Sequence, residues 1–183
     1  DNAATTEISE KVIAEMMKAM KVNYGNPSST HSHGRNSKAI LELSRKNIAE
    51  KFNVNPKEII FTSGGTESNN MIIKTVVIAQ NIERIISTKI EHKAVLNSIE
   101  SIAKERGITI LFLDVDEYGL PNKQQLIEYL ENSDEKTLVS LMHINNETGT
   151  MIDLEEFGKI CKSNNALFHS DTVQTIGHYN IDL

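Results

Sequence analysis

The sequence predicts an α/β fold: a mostly parallel sheet flanked by helices. Three features point to it. Short apolar runs rich in β-branched residues recur at residues 58–62, 84–88, 109–113, 137–143 and 166–170. Between them lie segments with helical periodicity, at residues 67–80, 93–106, 123–132 and 154–164. Regular strand–helix alternation of this kind builds parallel strands joined by crossover helices. Gly107 follows the 93–106 segment, where a helix C-cap falls.

Two further helices precede this rhythm. Residues 7–22 place Ile8, Val12, Met16 and Met20 four apart, with Ile13 and Met17 beside them. Residues 36–52 carry Ile40, Ile48 and Phe52 on one side. The intervening stretch, residues 22–34, is rich in Gly, Asn, Pro and Ser and reads as a loop.

Composition narrows the class of function. With 183 residues, 39% hydrophobic and 24% charged, the chain is long enough for a sizeable core. Its net charge of -6 argues against nucleic acid or an anionic membrane as the main partner. The longest apolar runs, near residues 71–79 and 108–113, fall short of the ~20 residues that span a bilayer. A single cysteine, Cys161, gives no disulfide framework and no cysteine-based zinc site, so a reducing, cytoplasmic compartment is the expectation. Cys161 sits in a helical segment near Phe157 and Ile160 and reads as a buried, inert thiol.

In open α/β sheets ligands collect beyond the carboxyl ends of the strands. Four junctions hold the polar residues there. Ser63-Gly64-Gly65-Thr66-Glu67-Ser68 combines glycines with a helix start and the Thr66 hydroxyl, which suits a phosphate; the alternative is a plain capped turn. It is neither a P-loop nor a dinucleotide fingerprint. Glu91-His92 offers a ring that can stack on a flat cofactor or move a proton, or that simply caps a helix. Asn145-Asn146-Glu147-Thr148-Gly149 is either a turn or an amide aimed at a ligand. In His169-Ser170-Asp171-Thr172-Val173-Gln174, an aspartate ending a buried strand needs a cation or several donors; a protonated pyridine nitrogen is one such partner, and an N-cap role is the alternative. The loop at residues 23–34 contains His31-Ser32-His33, but spacing offers no third ligand, so no metal site is expected.

Together these segments resemble the cysteine desulfurases, within the class V aminotransferase-like group of pyridoxal 5'-phosphate (PLP) enzymes. The matching stretches are DNAATT at residues 1–6, YGNPSS at 24–29, FTSGGTESNN at 61–70, EHKAVL at 91–96, NNETG at 145–149 and HSDTVQTIG at 169–177, in family order. The resemblance implies an incomplete fold-type-I large domain over residues 11–183, with residues 1–10 packing on the missing small domain. It implies that Gly65 and Thr66 hold the cofactor phosphate and that His92 stacks on the ring, with a part in proton transfer. Asn146 would contact the ring-hydroxyl side and the substrate carboxylate, Asp171 the pyridine nitrogen, and Gln174 the ring oxygen. The family usually has alanine where Gly65 stands, a change expected to leave the phosphate contacts intact.

The family's Schiff-base lysine, in a Ser-x-His-Lys segment, and its sulfur-accepting loop cysteine are expected beyond Leu183, so residues 1–183 alone are expected to be inactive. The implied reaction converts L-cysteine to L-alanine and an enzyme persulfide, for a sulfur acceptor or iron–sulfur scaffold, in a homodimer. A selenocysteine lyase, an aminotransferase and a non-catalytic scaffold paralogue are the other readings.

Overall fold

A computed structural model describes residues 1–179 and 181. The chain divides into two compact units, Asp1–Phe61 and Thr62–Tyr179.

In the first unit, α1 (Glu10–Val22) and α2 (Ser32–Lys51) are followed by a 3-10 turn, Pro56–Glu58. The helix expected over residues 7–22 is present, but its apolar stripe of Val12, Met16, Met17 and Met20 lies exposed. Helix α2 starts earlier than its apolar pattern indicates, because His31 Nδ1 accepts the Gly34 N–H and caps it. The loop between the helices is drawn tight by backbone approach. A Cβ at Gly25 would lie 2.4 Å from the His33 carbonyl, and one at Gly34 would lie 2.4 Å from the Ser29 oxygen.

Residues 58–62 do not form the expected strand. Asn55 and Glu58 make a capping box, with the Asn55 N–H donating to Glu58 Oε2 at 2.6 Å, and Pro56 starts the 3-10 turn. The Arg45 guanidinium then donates to the Ile59 carbonyl. β-Branched composition made this run look like a strand, but no neighbouring strand pairs with it among the described residues.

The second unit alternates α3 (Gly65–Gln80), β1 (Arg84–Thr88), α4 (Lys93–Arg106), β2 (Thr109–Leu113), α5 (Lys123–Glu131), β3 (Thr137–Ser140), α6 (Leu154–Ser163) and β4 (Leu167–His169). Its four strands are all parallel, in the order β2-β1-β3-β4. Pairing continues beyond the named ends of β3 and β4. The Leu141 N–H donates to the His169 carbonyl and the His143 N–H to the Asp171 carbonyl, each at 3.0 Å. The longer expected runs, 137–143 and 166–170, follow this extended ladder.

Strand alternation divides the core. Ile85 and Leu138 face Ile73 and Val77 of α3 and Val95, Ile99 and Ile102 of α4. Ile86 and Val139 face the other way, onto Leu126 and Leu130 of α5 and Phe157 and Cys161 of α6. The central strands are therefore buried on both faces, as a parallel sheet requires. Gly107 ends α4 at φ +70°, where a side chain is strained. Gly107→Ala is expected to cost about 1–2 kcal/mol in urea unfolding, because the left-handed conformation crowds a Cβ.

Candidate functional site

The strand order places a switch point between β1 and β3. From β1 the chain crosses to β2 on one side, then returns past β1 to β3 on the other. The connections leaving β1 and β3 thus diverge and open a crevice at the carboxyl ends of these strands. Glu91 and His92 follow β1, Asn145 and Asn146 follow β3, and Asp171 and Gln174 follow β4. Three of the four junctions read from the sequence lie at this end of the sheet. The fourth, the Gly64–Gly65 turn, starts α3.

That helix start has the features of an anion cradle. Gly64 is its N-cap and offers no side-chain cap to the first-turn N–H groups. The Ser63 hydroxyl and amide both bind Glu67 Oε2, at 2.6 and 2.7 Å, and hold that exposed carboxyl below its usual range. The cradle touches the last junction: a Cβ at Gly65 would meet Val173 Cγ2 at 2.8 Å. An alanine here therefore requires the exposed Val173 side chain to move.

Asp171 is 9% exposed. Its Oδ2 accepts from Asn69 Nδ2 at 2.7 Å and its Oδ1 from the Val173 N–H at 3.0 Å. Both donors are neutral, and no Lys, Arg or His forms an ion pair with it among the described residues. A buried carboxylate left with neutral donors alone is costly and favours a cationic ligand. Ser170 Oγ, next to it, is buried without a hydrogen-bond partner among the described residues. A protonated pyridine ring with an anionic phosphate arm matches this pairing of a buried carboxylate and an uncapped helix start.

His92 caps α4: its Nδ1 accepts the Ala94 N–H at 3.1 Å. The cap sets the tautomer, with the proton on Nε2, and fixes the ring while leaving it exposed. Capping and ligand contact are therefore compatible uses of this side chain. Asn146 is half-buried and donates to Glu147 Oε1 at 2.9 Å. Thr66 is exposed and Gln174 half-buried. His31 is occupied as the α2 cap, and no cluster of three metal-ligating side chains occurs among the described residues.

Neighbours of the expected contact residues tie the junctions together. Asn69 bridges α3 to Asp171, Glu91 Oε1 accepts the Met142 N–H at 2.8 Å, and Asn145 Nδ2 donates to the Ile90 carbonyl at 2.8 Å. Sequence reasoning placed Glu91 and Asn145 in candidate junctions without naming these cross-strand contacts, and gave Asn69 no separate role. Asn69 did leave a signal, as the polar member of the stripe Asn69, Ile73, Val77 that α3 buries.

Two other groups are set apart by burial. His169, bonded through Nδ1 to Ser140 Oγ at 2.9 Å, is pushed down to about 4 by desolvation, although Asp171 works against the shift. The Cys161 thiol is fully buried and pushed up to about 12. As the sequence suggested, it is inert, being present as the thiol rather than the nucleophilic thiolate.

A doubly covered parallel sheet with a polar strand-end site at its switch point defines the class of α/β proteins that bind a small ligand there. The chain belongs to the aminotransferase class-V family, whose pattern matches residues 1–183. It is 40% identical over 185 residues to the cysteine desulfurase IscS of Methanosarcina thermophila, covering all of this chain and 45% of that protein. Among solved structures, a NifS-like protein superposes with a TM-score of 0.92 at 39% identity, over all of this chain and 50% of the other. SspA in complex with cysteine gives 0.91 at 30% identity, over 100% and 52% of the two chains. The chain thus spans about half the length of the curated relatives it matches. No helix among the described residues is long and apolar enough to cross a membrane.

Proposed function

We propose that the complete protein is a PLP-dependent cysteine desulfurase and that this chain supplies much of its cofactor site. The observation that carries the reading is Asp171, a buried carboxylate beside the switch point that accepts from the neutral donors Asn69 Nδ2 and the Val173 N–H and forms no ion pair among the described residues. Its charge would face the ring nitrogen of bound PLP and favour the protonated ring. When bound, the cofactor supplies a ring that draws electron density from the substrate carbon.

The chain's own groups bind and orient. The Gly65 and Thr66 amides and the Thr66 hydroxyl would hold the phosphate at the α3 start. The capped His92 ring would stack on the cofactor ring and take part in proton transfer. Asn146 would contact the ring-hydroxyl side and the substrate carboxylate, and Gln174 the ring oxygen. In the overall reaction L-cysteine and an enzyme thiol give L-alanine and an enzyme persulfide. The Cys161 thiol, buried and pushed up to about 12, is unsuited to accept that sulfur, so the acceptor is another cysteine of the complete protein. The outer sulfur of the persulfide is passed to a sulfur acceptor or iron–sulfur scaffold, which regenerates the enzyme thiol. We place the enzyme in the cytoplasm as a homodimer, with residues 1–10 packed on its second domain; the exposed apolar stripe of α1 supports further packing at this end of the chain.

The test is product analysis of the complete polypeptide with L-cysteine and a thiol reductant. Equal yields of L-alanine and sulfide are expected. Turnover only with selenocysteine, or only with an oxo-acid acceptor, would assign a lyase or an aminotransferase instead.

A further inference from the structure

Two side chains cross the switch point in opposite directions. From the β1 junction, Glu91 Oε1 accepts the Met142 N–H at the end of β3, at 2.8 Å. From the β3 junction, Asn145 Nδ2 donates to the Ile90 carbonyl after β1, at 2.8 Å. Asn145 Oδ1 meanwhile accepts the Glu147 and Thr148 N–H groups at 2.8 and 3.0 Å, which shapes the turn holding Asn146. Each bracing residue immediately precedes a proposed cofactor contact, Glu91 before His92 and Asn145 before Asn146. We infer that Glu91 and Asn145 form a reciprocal brace across the switch point and act as positioning residues for His92 and Asn146. This inference rests on the PLP reading of the site and assigns the brace a role in cofactor affinity.

The brace works with Glu91 uncharged. Glu91 is 6% exposed, and its Oε2 has no hydrogen-bond partner among the described residues. Burial pushes its carboxyl up to about 8; the Asp171 carboxylate adds to the rise, against the Met142 amide and the Thr88 hydroxyl, which lower it. Each element around it supplies a group to this balance. β1 contributes Thr88, the β3 end contributes the Met142 amide, and the β4 end contributes Asp171 with the neutral His169 behind it. The α4 helix starts two residues after Glu91, with His92 as its cap; burial is the largest influence on the Glu91 carboxyl.

The sign of the pH effect follows. Between the ordinary carboxylate range and about pH 8 the folded protein keeps a proton on Glu91 that the unfolded chain releases. The stabilisation this gives is full at lower pH and is lost as pH rises through that window.

The experiment compares the complete polypeptide with its Glu91→Gln, Glu91→Leu and Asn145→Asp variants. PLP affinity is read by titrating the visible absorbance, and apoprotein melting is followed from about pH 5 to about pH 9. Gln keeps an acceptor for Met142, so affinity within about threefold of the parent is expected. Leu leaves that buried N–H unpaired, and Asp at 145 removes the donor to Ile90 while keeping the turn's acceptor. Each is expected to weaken PLP binding by about 10- to 100-fold, the scale typical of residues that orient a site's direct contacts. The parent's melting temperature should fall relative to Glu91→Gln as pH approaches 8. Parental PLP affinity in both Glu91→Leu and Asn145→Asp, or parallel melting profiles for the parent and Glu91→Gln, would overturn the inference. If Glu91→Leu fails to fold, Asn145→Asp decides alone. Absence of PLP binding by the parent would instead defeat the functional reading beneath it.

Discussion

Asp171→Asn in the complete polypeptide is expected to lower kcat/KM with L-cysteine by about 10²- to 10⁴-fold. The substitution keeps the side chain's shape and the acceptor for the Val173 N–H. It removes the charge that the proposed function sets against the ring nitrogen. Taking one partner from a buried ion pair costs about 3–5 kcal/mol, which corresponds to that range of rate. The new amide nitrogen faces Asn69 Nδ2, so Asn69 must turn its own amide over to offer an oxygen; with that flip folding is expected to be little affected. The discriminating pair of measurements is steady-state alanine release and the urea midpoint. Lost activity at an unchanged midpoint is the expected pattern. A parallel collapse of both would make Asp171 a structural residue.

The largest expected effect on stability comes from the central strand. Ile86→Ala is expected to destabilise the protein by about 2–5 kcal/mol, against about 0.5–1.5 kcal/mol for Ile86→Val. Ile86 is fully buried and packs with Leu113, Val139, Leu126 and Phe157 between the sheet and the α5/α6 layer. β1 is paired on both edges, so its backbone cannot shift to close the cavity. Urea unfolding of the two variants gives the graded series directly. Equal costs for both would mean that the space around residue 86 collapses freely.

The fold was most legible where the apolar pattern meets the core without a competing local contact. β1 is buried along its whole length and α4 along one face, and both, with the neighbouring β2, begin and end where their apolar periodicity does. Legibility failed where a local contact overrode the pattern. His31 starts α2 ahead of its apolar stripe, and the capping box at Asn55 with the Arg45 contact to Ile59 draws residues 58–62 out of strand pairing.

The same limit applies to the site. Polar clusters after β1, β3 and β4 stand out against the apolar runs before them, so the junctions could be read as candidates. Their mutual support could not. Asn69 meets Asp171 across 102 residues, Glu91 meets Met142 across 51, and Asn145 meets Ile90 across 55. No local spacing encodes such partners; only the strand order β2-β1-β3-β4 brings them together.

The central claim, that these strand ends hold PLP through the Asp171 charge, is tested most directly by equilibrium titration of the complete polypeptide and its Asp171→Asn variant with PLP. Saturable binding with a visible absorption band is expected for the parent, and affinity weaker by about 10²-fold or more for the variant. Equal affinity in the two proteins, or no saturable binding by the parent, would contradict it.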